Sequence, residues 1–407
     1  MATIQKRGKS YRITVSCGYN LEGKQVRSSI TWTPDPGMTP RQIEKEVNRQ
    51  AVLYEEQIRT GQLSVSGNIR LKTFSEKFLT EYVRPYLKAN TIRNYERDLE
   101  RINAALGHIR LCDLKAAHIT QFYASLMQEG SNRNSGGRLS GNSIAAVNRT
   151  LSALLTKAVK WGYLSVNPLQ RAERPKVRQR EARYLDEPEA RRMLELLQRE
   201  PVKWRCPIIF DLFSGLRRGE LLGLMWEDVD LSDRTLTIRR TLNYIPGKGV
   251  YLDSPKSSNS RRPIHLSGTA IALLLEQRAW QQARRAELGD AWQETGFVFT
   301  GDDGKAIFPT NLSTWFRRFI RKTDLPYVSI HSLRHTFASL QISDGVPLVV
   351  VSRQLGHAKS STTANIYAHV IAEAEARADQ TFDRFADVVT GDKRQINARP
   401  EKQDKFA

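Results

Sequence analysis

Residues 214–230 read Ser214-Gly-Leu-Arg-Arg-Gly-Glu-Leu-Leu-Gly-Leu-Met-Trp-Glu-Asp-Val-Asp230. The apolar spacing predicts a helix over 216–225 with Arg217 at its start, where free backbone N–H groups add positive potential. Its neighbour Arg218 is expected to point elsewhere, because adjacent helical residues do not share a face. Arg217 is therefore a candidate anion-binding residue.

Five more residues with related chemistry follow Arg217 in the second half of the chain. They are Lys256, His331, Arg334, His357 and Tyr367. Cationic and imidazole groups combined with a phenol suit the binding of one phosphate and its attack by a hydroxyl. Two arginines can each hold phosphate oxygens through a bidentate fork that lysine does not reproduce. We assign this role to Arg217 and Arg334.

Tyr367 is the candidate nucleophile. A free phenol has a pKa of about 10, so a nearby base or a strong positive field must help it ionise. His331 is the candidate base, and His357 is the candidate donor to a phosphate oxygen. Lys256, expected at the tip of a hairpin, is the candidate general acid that protonates the leaving oxygen.

Two other interpretations of these residues remain open. A single histidine or tyrosine is more often a structural residue than a catalytic one. His331 and His335 are four residues apart, which is zinc-ligand spacing on a helix. However, no glutamate lies between them, and Arg334 would repel the ion. We therefore expect neither a metal nor another cofactor.

The charge balance of the chain indicates a polyanionic partner. The 407 residues carry a formal net charge of +20, with 63 Lys and Arg against 43 Asp and Glu. Nucleic acid is the usual partner of such a protein, although a ribosomal-type protein or a membrane-surface protein has a similar balance. Three separate cysteines fit a reducing cytoplasm, and the N-terminus has no apolar stretch of the kind a signal peptide needs.

Residues 1–65 are predicted to form a small α+β domain. Alternating residues at 11–19 and 25–32 indicate strands of a three-stranded sheet, and Thr39-Pro40 opens a helix that runs to about Thr60. The basic residues on the sheet are either a solvated face or the surface of a sheet that lies in a DNA groove. The DNA-binding candidates are Lys6, Arg7, Arg12 and Arg27.

Residues 68–170 are predicted to form an all-α DNA-binding domain. Apolar residues at three- and four-residue spacing indicate helices at 73–86, 91–106, 115–128 and 142–161. Its candidate DNA contacts are Lys88, Arg93, Arg97, Lys157 and Lys160. Residues 171–183 form a basic linker that includes Arg178 and Arg180. This linker either follows a phosphate backbone or is a solubilising tether.

Residues 184–390 are predicted to form a mainly α domain with a small antiparallel sheet. Helices are expected at 186–199, 203–213, 216–225, 268–288, 311–323, 332–344, 348–355, 362–367 and 372–389, and strands at 235–241, 251–252 and 262–266. The charged tail at 391–407 is expected to be disordered.

Three blocks of this last domain resemble the tyrosine recombinase family, also called phage integrases. They are the quoted stretch 214–230, His331-Ser-Leu-Arg-His-Thr-Phe-Ala-Ser339, and Leu355-Gly-His-Ala-Lys-Ser-Ser-Thr-Thr-Ala-Asn-Ile-Tyr-Ala-His369. The blocks occur in the family's order. The helical unit before them is similar to the family's core-binding domain. The first 65 residues resemble the arm-binding domain of integrases from phages and integrative conjugative elements.

The resemblance implies a site-specific DNA recombinase. It places Arg217, Lys256, His331, Arg334 and His357 around the scissile phosphate and gives Tyr367 the attack, so that a 3′-phosphotyrosine and a free 5′ hydroxyl form without metal or ATP. Lys256 departs slightly from the family, since it lies in Pro-Lys-Ser where Thr-Lys-Thr is frequent. The implied partners are double-stranded DNA at core and arm sites, three further protomers in a tetramer, and accessory excision or DNA-bending proteins.

Several functions fit such a protein. Integration and excision of a mobile element is the main hypothesis, because chromosome-dimer resolvases commonly lack an arm-binding domain. The alternatives are supercoil relaxation, as in the related type IB topoisomerases, and a DNA-binding regulator without catalysis.

The helix predicted at 372–389 has an apolar stripe. This stripe is expected to dock either on its own domain or on a neighbouring protomer.

Overall fold

The computed structural model describes residues 2–19, 23–59, 69–132, 135–174, 183–254 and 262–356, and also positions 361, 363, 364 and 367. The chain divides into two units, residues 1–179 and 180–407. None of the helices in the described ranges has the length and apolar character needed to cross a membrane. Residues 175–182 of the linker predicted at 171–183, the helix predicted at 372–389 and the tail at 391–407 lie outside the described residues.

The first unit begins with an antiparallel three-stranded sheet, as expected. Strands β1 (Thr3–Arg7), β2 (Ser10–Tyr19) and β3 (Gln25–Trp32) lie in chain order, and helix α1 spans Pro40–Arg59. The register places Ile4, Ile13 and Ile30 side by side across the three strands. Helix α1 covers this face with apolar residues of its own, which include Val47, Ala51 and Tyr54. The buried stripe therefore holds the helix on one face of the sheet.

The rest of the first unit is helical. It contains α2 (Leu71–Phe78), a π-helical turn (Leu79–Val83), α3 (Arg84–Tyr86), α4 (Ala89–Leu106), α5 (Ala116–Leu126) and α6 (Gly141–Lys160). Their apolar faces form one core that includes Phe74, Phe78, Ile102, Leu151 and Leu154. Helix α4 begins two residues before the predicted start, because the N–H of Thr91 already bonds to the carbonyl of Lys88 at 2.8 Å.

The second unit is mainly helical. Its helices are α7 (Glu187–Leu197), α8 (Val202–Ser214), α9 (Arg218–Leu222), α10 (Gly268–Leu288), α11 (Pro309–Arg321), α12 (Ile330–Ser343) and α13 (Leu348–Leu355). Contacts of α8 with α10 and with α12 place it at the centre of the core. Asp186 caps α7 by accepting a bond from the N–H of Glu189 at 2.8 Å, as a helix beginning at this aspartate predicts.

Two small sheets replace the single sheet predicted for this unit. Strands β4 (Val229–Asp230), β5 (Thr235–Thr237) and β8 (Pro263–His265) form one, and β6 (Thr241–Ile245) pairs with β7 (Gly249–Asp253) in the other. The predicted strand 235–241 therefore breaks after Thr237, and Arg240 beyond the break reaches back to Asp228 at 3.2 Å. A long-range ion pair of this kind leaves no periodic signal in the sequence.

The helix predicted over 216–225 is much shorter than expected and consists of α9 alone. A Cβ atom on Gly223 would lie 2.9 Å from the backbone nitrogen of Leu242, so β6 passes directly against the helix end. Met225 then forms a β-bridge with Phe297. Tertiary contact ends this helix where the local pattern predicts that it continues.

Candidate active site

Arg217 lies at the junction of α8 and α9. Helix α8 ends at Gly215, whose φ of 60° places it in the left-handed region, and Arg217 is the residue before the first turn of α9. Its Nη1 atom donates to Oε1 of Glu220 at 2.7 Å, and its Nη2 atom reaches the carbonyl of Gly356 at 3.4 Å. The helix start that the sequence predicts for Arg217 is confirmed.

Glu220 fixes two arginines, and this role is absent from the sequence prediction. Besides Arg217, its carboxylate accepts a bond from Nη2 of Arg262 at 3.3 Å, and its side chain is only 1% exposed. Burial raises the pKa of Glu220, but Arg262 and Arg217 outweigh it, so the pKa lies below its ordinary value. An acid three residues after a helix-start residue is a known capping signal, so the sequence alone offered a way to find this residue.

Arg334 is buried and is held by backbone carbonyls. Its Nη1 donates to the carbonyl of Gly215 at 2.8 Å, and its Nη2 donates to the carbonyl of Leu355 at 2.6 Å. Burial, followed by the charge of Arg217, lowers the pKa of Arg334 to about 10, so it remains a cation at neutral pH. Arg217 and Arg334 thus meet at the C-terminal end of α13, where one bonds to Gly356 and the other to Leu355.

His331 lies on α12, one turn before Arg334, as its three-residue spacing predicts. The residue is exposed. Partial burial of the ring, followed by the charges of Arg334, Arg217 and Arg218, lowers the pKa of His331. The imidazole is therefore near both guanidinium groups, and their charges disfavour its protonated form.

Tyr367 comes back to the same region. Its hydroxyl lies 3.0 Å from Nδ1 of His335, and its side chain is buried at 2% exposure against residues of α12 and α13 such as Phe337 and Leu355. Burial raises the pKa of Tyr367 to about 12, although Arg334 opposes the rise. Arg334 therefore does not by itself bring the pKa of the phenol below its ordinary value, because desolvation outweighs the nearby cation.

The structure gives His335 a different role from that of a metal ligand. His335 bonds to Tyr367, and its ring packs edge-on against that of His331 with centroids 5.0 Å apart. Burial, followed by the proximity of His331 and Arg334, lowers the pKa of His335 to about 4. The four-residue spacing that suggested zinc instead places one imidazole within hydrogen-bond distance of the candidate nucleophile.

Two of the six candidate residues, Lys256 and His357, lie outside the described residues. The hairpin expected around Lys256 is nevertheless wrong. Of the strands that flank it, β7 pairs with β6 and β8 pairs with β5. The segment that carries Lys256 therefore joins two different sheets.

The basic candidates on the N-terminal sheet divide between its two faces. The register places Arg12 opposite Thr31 and Arg27 opposite Ser16, on the face away from α1. By strand alternation Arg7 shares this face, whereas Lys6 lies on the same face as Ile4. Three of the four candidates can therefore contact one ligand surface together.

The helical domain groups Lys157 and Lys160 beside a cavity of about 470 Å³, which Tyr82, Tyr95, Arg149 and Arg174 also line. The ammonium of Lys157 lies 3.6 Å from the centroid of the Tyr82 ring. Lys88, Arg93 and Arg97 are exposed, and Arg97 pairs with Asp98 at 3.0 Å. Arg178 and Arg180 lie outside the described residues.

Comparison with known proteins places the chain in a family. Residues 183–374 match the phage integrase family, and residues 70–127 match the phage integrase N-terminal SAM-like domain. A tyrosine recombinase XerC-like protein of Caldanaerobacter subterraneus subsp. tengcongensis is 30% identical over 399 residues, which cover 93% of this chain and 97% of the relative. The chain belongs to the tyrosine recombinase family of phage integrases. It is a site-specific DNA recombinase, as its sequence blocks indicated.

Two further relatives show how widely the likeness extends. The ICEBs1 integrase of Bacillus subtilis is 25% identical over 255 residues, covering 62% of this chain and 66% of that protein. The solved structure of the Tn1549 transposon integrase in complex with transposon right end DNA superimposes with a TM-score of 0.65 at 22% identity. The match covers 78% of this chain and all of that one, so the fold of the helical and catalytic domains is the expected one.

Proposed function

We propose that this recombinase integrates and excises a mobile element, with Tyr367 as the nucleophile and Arg217 and Arg334 as the phosphate-binding pair. The observation that carries the assignment is that both guanidinium groups bond to backbone carbonyls at the end of α13. The phenol of Tyr367 lies beside them, hydrogen-bonded to His335, the residue after Arg334.

The substrate that fits this arrangement is a DNA phosphodiester. Each arginine already has backbone or carboxylate acceptors for some of its N–H groups, and these bonds fix the planes in which the remaining donors point. Fixed donors stabilise the charge that grows on the non-bridging oxygens without reorganising during the reaction. The buried carboxylate of Glu220 sets the orientation of Arg217 in this scheme.

In the proposed step, the oxygen of Tyr367 forms a bond to the scissile phosphorus while the bond from phosphorus to the 5′ oxygen breaks. The phenol proton passes to an imidazole, for which we retain His331, and the departing 5′ oxygen takes a proton from Lys256. His357 donates a hydrogen bond to a phosphate oxygen. The reverse attack by a 5′ hydroxyl of the second duplex restores the phosphodiester and frees Tyr367, so no external energy source is consumed.

His335 enters this scheme as a positioning residue. Its lowered pKa makes it a poor store for the phenol proton, but its Nδ1 atom fixes where the hydroxyl points. Because the phenol is buried and has a raised pKa, attack requires the arriving DNA to bring a phosphorus within reach and ionisation to be coupled to bond formation.

The remaining basic surfaces fit contacts with duplex DNA at two kinds of site. We assign the outer face of the N-terminal sheet, with Arg7, Arg12 and Arg27, to arm sites, and the surface near Lys157 and Lys160 to core sites. In the same proposal, four protomers act together on two duplexes. Accessory excision or DNA-bending proteins assist them, and the reaction takes place on the bacterial nucleoid.

Chromosome-dimer resolution is a second candidate, since the name of the Caldanaerobacter relative includes XerC-like. The folded unit at residues 2–59 favours the mobile element, because a sheet with a basic outer face gives the protein an additional DNA-binding surface. Deleting this unit should abolish integration while strand cleavage at an isolated core site persists. A resolvase would instead keep its full recombination activity.

A nicked duplex that carries the crossover site of the protein's own element provides the direct test. The nick allows the cleaved end to diffuse away, so a covalent protein–DNA adduct accumulates. The unaltered protein should form the adduct and Tyr367→Phe should form none, while both bind the DNA equally. Adduct from the phenylalanine variant, or from neither protein, refutes the assignment, and the latter result favours a regulator without catalysis.

A further inference from the structure

A second cavity adjoins the candidate active site on the far side of His331. It measures about 430 Å³ and lies between α9, α11 and the segment that leads into α12. Its polar lining comprises Arg218, Ser313, Thr314, Arg317, Tyr327, Ser329 and His331. The lining includes no aspartate or glutamate, so the described wall of the cavity is cationic and rich in hydroxyl groups.

Arg218 is the residue that makes this cavity unusual. Its Nη1 atom donates to the hydroxyl of Ser313 at 2.6 Å, and it has no carboxylate partner within the described part of the chain. Its neighbour Arg217, in contrast, is paired with the buried Glu220. The side chain of Arg218 is exposed, so the guanidinium is accessible to a ligand from solvent. An accessible guanidinium without a carboxylate partner favours an anionic ligand that can accept its N–H groups.

Helix α11 supplies the second cation in a suitable place. Ser313 and Arg317 are four residues apart on α11 and therefore share a face. The hydroxyl that holds Arg218 thus lies next to another guanidinium. Two cations and several hydroxyl donors in one concave site match the oxygens of a phosphate group, which accept bidentate arginine bonds.

His331 belongs to both sites, and this shared residue determines the ligand. It lines the cavity, and its pKa responds to Arg334, Arg217 and Arg218 together. Because His331 lies near both phosphate-binding arginines and also lines the cavity, we orient the DNA strand so that it passes from the scissile phosphate along His331 to the cavity. Consecutive phosphates of a strand follow each other closely, at about 3.4 Å along the helix axis. The next phosphates of the same strand are therefore the nearest anions available to the cavity.

We propose that Arg218 and Arg317 form a second phosphate subsite that binds a phosphodiester flanking the scissile one on the cleaved strand. This inference rests on the proposed function. The subsite fixes the direction in which the strand leaves the active site, and it thereby aligns the scissile phosphorus for attack. Arg218 and Arg317 are positioning residues in this scheme, since they touch the substrate away from the reacting atoms.

A cycle that combines protein and DNA changes tests the subsite. Nicked substrates are prepared in which one flanking phosphate at a time is a methylphosphonate, which removes its negative charge. With all-phosphate DNA, Arg218→Ala should slow adduct formation by about tenfold to a hundredfold, the effect of one charge-assisted hydrogen bond. With the methylphosphonate at the bound position, the same variant should lose almost nothing further, because the anion is already absent.

Two further variants guard against a purely structural effect. Arg218→Gln keeps a donor for Ser313 but removes the charge, so it replaces Arg218→Ala if the alanine variant is poorly folded. Its effect on adduct formation should likewise disappear when the methylphosphonate is at the bound position. Arg321→Ala removes an equal charge from the same helix outside the cavity, and its small effect should be identical on every methylphosphonate substrate.

The outcomes separate the two proposals. If the effects of the Arg218 variants and of the methylphosphonates on adduct formation are additive at every flanking position, the subsite is overturned. The proposed function remains intact in that case. Coupling at one position, with additivity elsewhere, establishes the subsite and locates it. Absence of any adduct with the unaltered protein refutes the proposed function, and the subsite fails with it.

Discussion

The Nδ1 atom of His335 lies 3.0 Å from the phenolic oxygen of Tyr367, although 32 residues separate the two in the chain. The side chain of Tyr367 is buried at 2% exposure, and His335 is half-buried. Burial is also the largest cause of the lowered pKa of His335 and of the raised pKa of Tyr367. The bond holds the candidate nucleophile in a defined place beside Arg334.

The first prediction concerns the strength of this bond. His335→Phe leaves the buried hydroxyl without an acceptor, and Tyr367→Phe leaves the imidazole without a partner, so each single change should lower the unfolding free energy by about 1–3 kcal/mol. The double variant should lose about 1 kcal/mol less than the sum, because neither unpaired group remains. Urea unfolding of the four proteins measures this coupling.

Tyr327→Phe is the matched control for the tyrosine change. Tyr327 is 59% exposed, so the loss of its hydroxyl should leave stability unchanged and should not couple to His335→Phe. Strictly additive losses for His335 and Tyr367 would show that the bond contributes nothing in solution.

Local sequence signals predicted much of the fold. Helix α10 at Gly268–Leu288 and helix α13 at Leu348–Leu355 have the bounds expected from their apolar spacing. Helix α13 ends at Gly356 in the left-handed region, where glycine has no steric penalty. The positions of Arg217 at a helix start and of His331 one turn before Arg334 also follow from local spacing alone.

Contacts between distant segments account for what the sequence did not predict. Nothing near Arg334 indicates that its guanidinium bonds to the carbonyls of Gly215 and Leu355. The shared use of Glu220 by Arg217 and Arg262 likewise depends on how β8 lies against α9. Periodicity describes one element at a time, whereas these bonds depend on the assembled core.

A second prediction concerns Asp211 in α8, which is fully buried. Neither oxygen of its carboxyl has a hydrogen-bond partner among the described residues. Burial raises the pKa of Asp211 well above its ordinary value of 3.8, with Arg334 opposing and Glu220 adding to the rise. The folded state therefore binds a proton more tightly than the unfolded state. The associated stability is complete below a pH of about 4 and is lost as the pH rises through the folded pKa.

Asp211→Asn removes this titration and keeps the shape of the side chain. The variant should be more stable than the unaltered protein at pH 8, and the difference should vanish near pH 4. Between pH 4 and the folded pKa of Asp211, the difference should grow by about 1.4 kcal/mol for each pH unit. Denaturant unfolding across this pH range provides the measurement, with the exposed Asp290→Asn as a control expected to show no such trend. A variant that is less stable at pH 8 would contradict the prediction.

A third prediction separates the charge of Arg334 from its geometry. Arg334→Lys keeps the positive charge. However, a single ammonium group does not replace the two bonds to the carbonyls of Gly215 and Leu355 while also offering a planar pair of donors to a phosphate. Adduct formation should fall by about 10²–10³, the usual cost of losing a fixed oxyanion donor. DNA affinity should change only a few-fold, since electrostatic attraction to the backbone is retained.

Single-turnover cleavage and equilibrium DNA binding, measured at one salt concentration, distinguish the two effects. Arg318→Lys on α11 is the control, because Arg318 is exposed and bonds to neither carbonyl that holds Arg334. Equal losses of affinity and cleavage rate in Arg334→Lys would mean that the residue binds DNA in the ground state without favouring the transition state.

The last prediction concerns Gly215, whose carbonyl anchors Arg334. Gly215 has a φ of 60°, and a Cβ atom there would lie 2.4 Å from Cδ1 of Phe337. Gly247 has a φ of 83° with nothing within 4 Å of such an atom, so Gly247→Ala introduces left-handed strain without a clash. Gly247→Ala should cost about 1–2 kcal/mol, and Gly215→Ala should cost about 1–3 kcal/mol more because the ring of Phe337 must move.

The same displacement should reach the chemistry. Moving the carbonyl of Gly215 shifts Arg334, and a misplacement of about 1 Å in a catalytic group can cost about 10² in rate. Gly215→Ala should therefore slow adduct formation about a hundredfold even when the protein is fully folded, whereas Gly247→Ala should cleave at the unaltered rate. Cleavage assays at a temperature well below both unfolding midpoints isolate this effect. Equal rates in the two variants would show that Arg334 keeps its position without the Gly215 carbonyl.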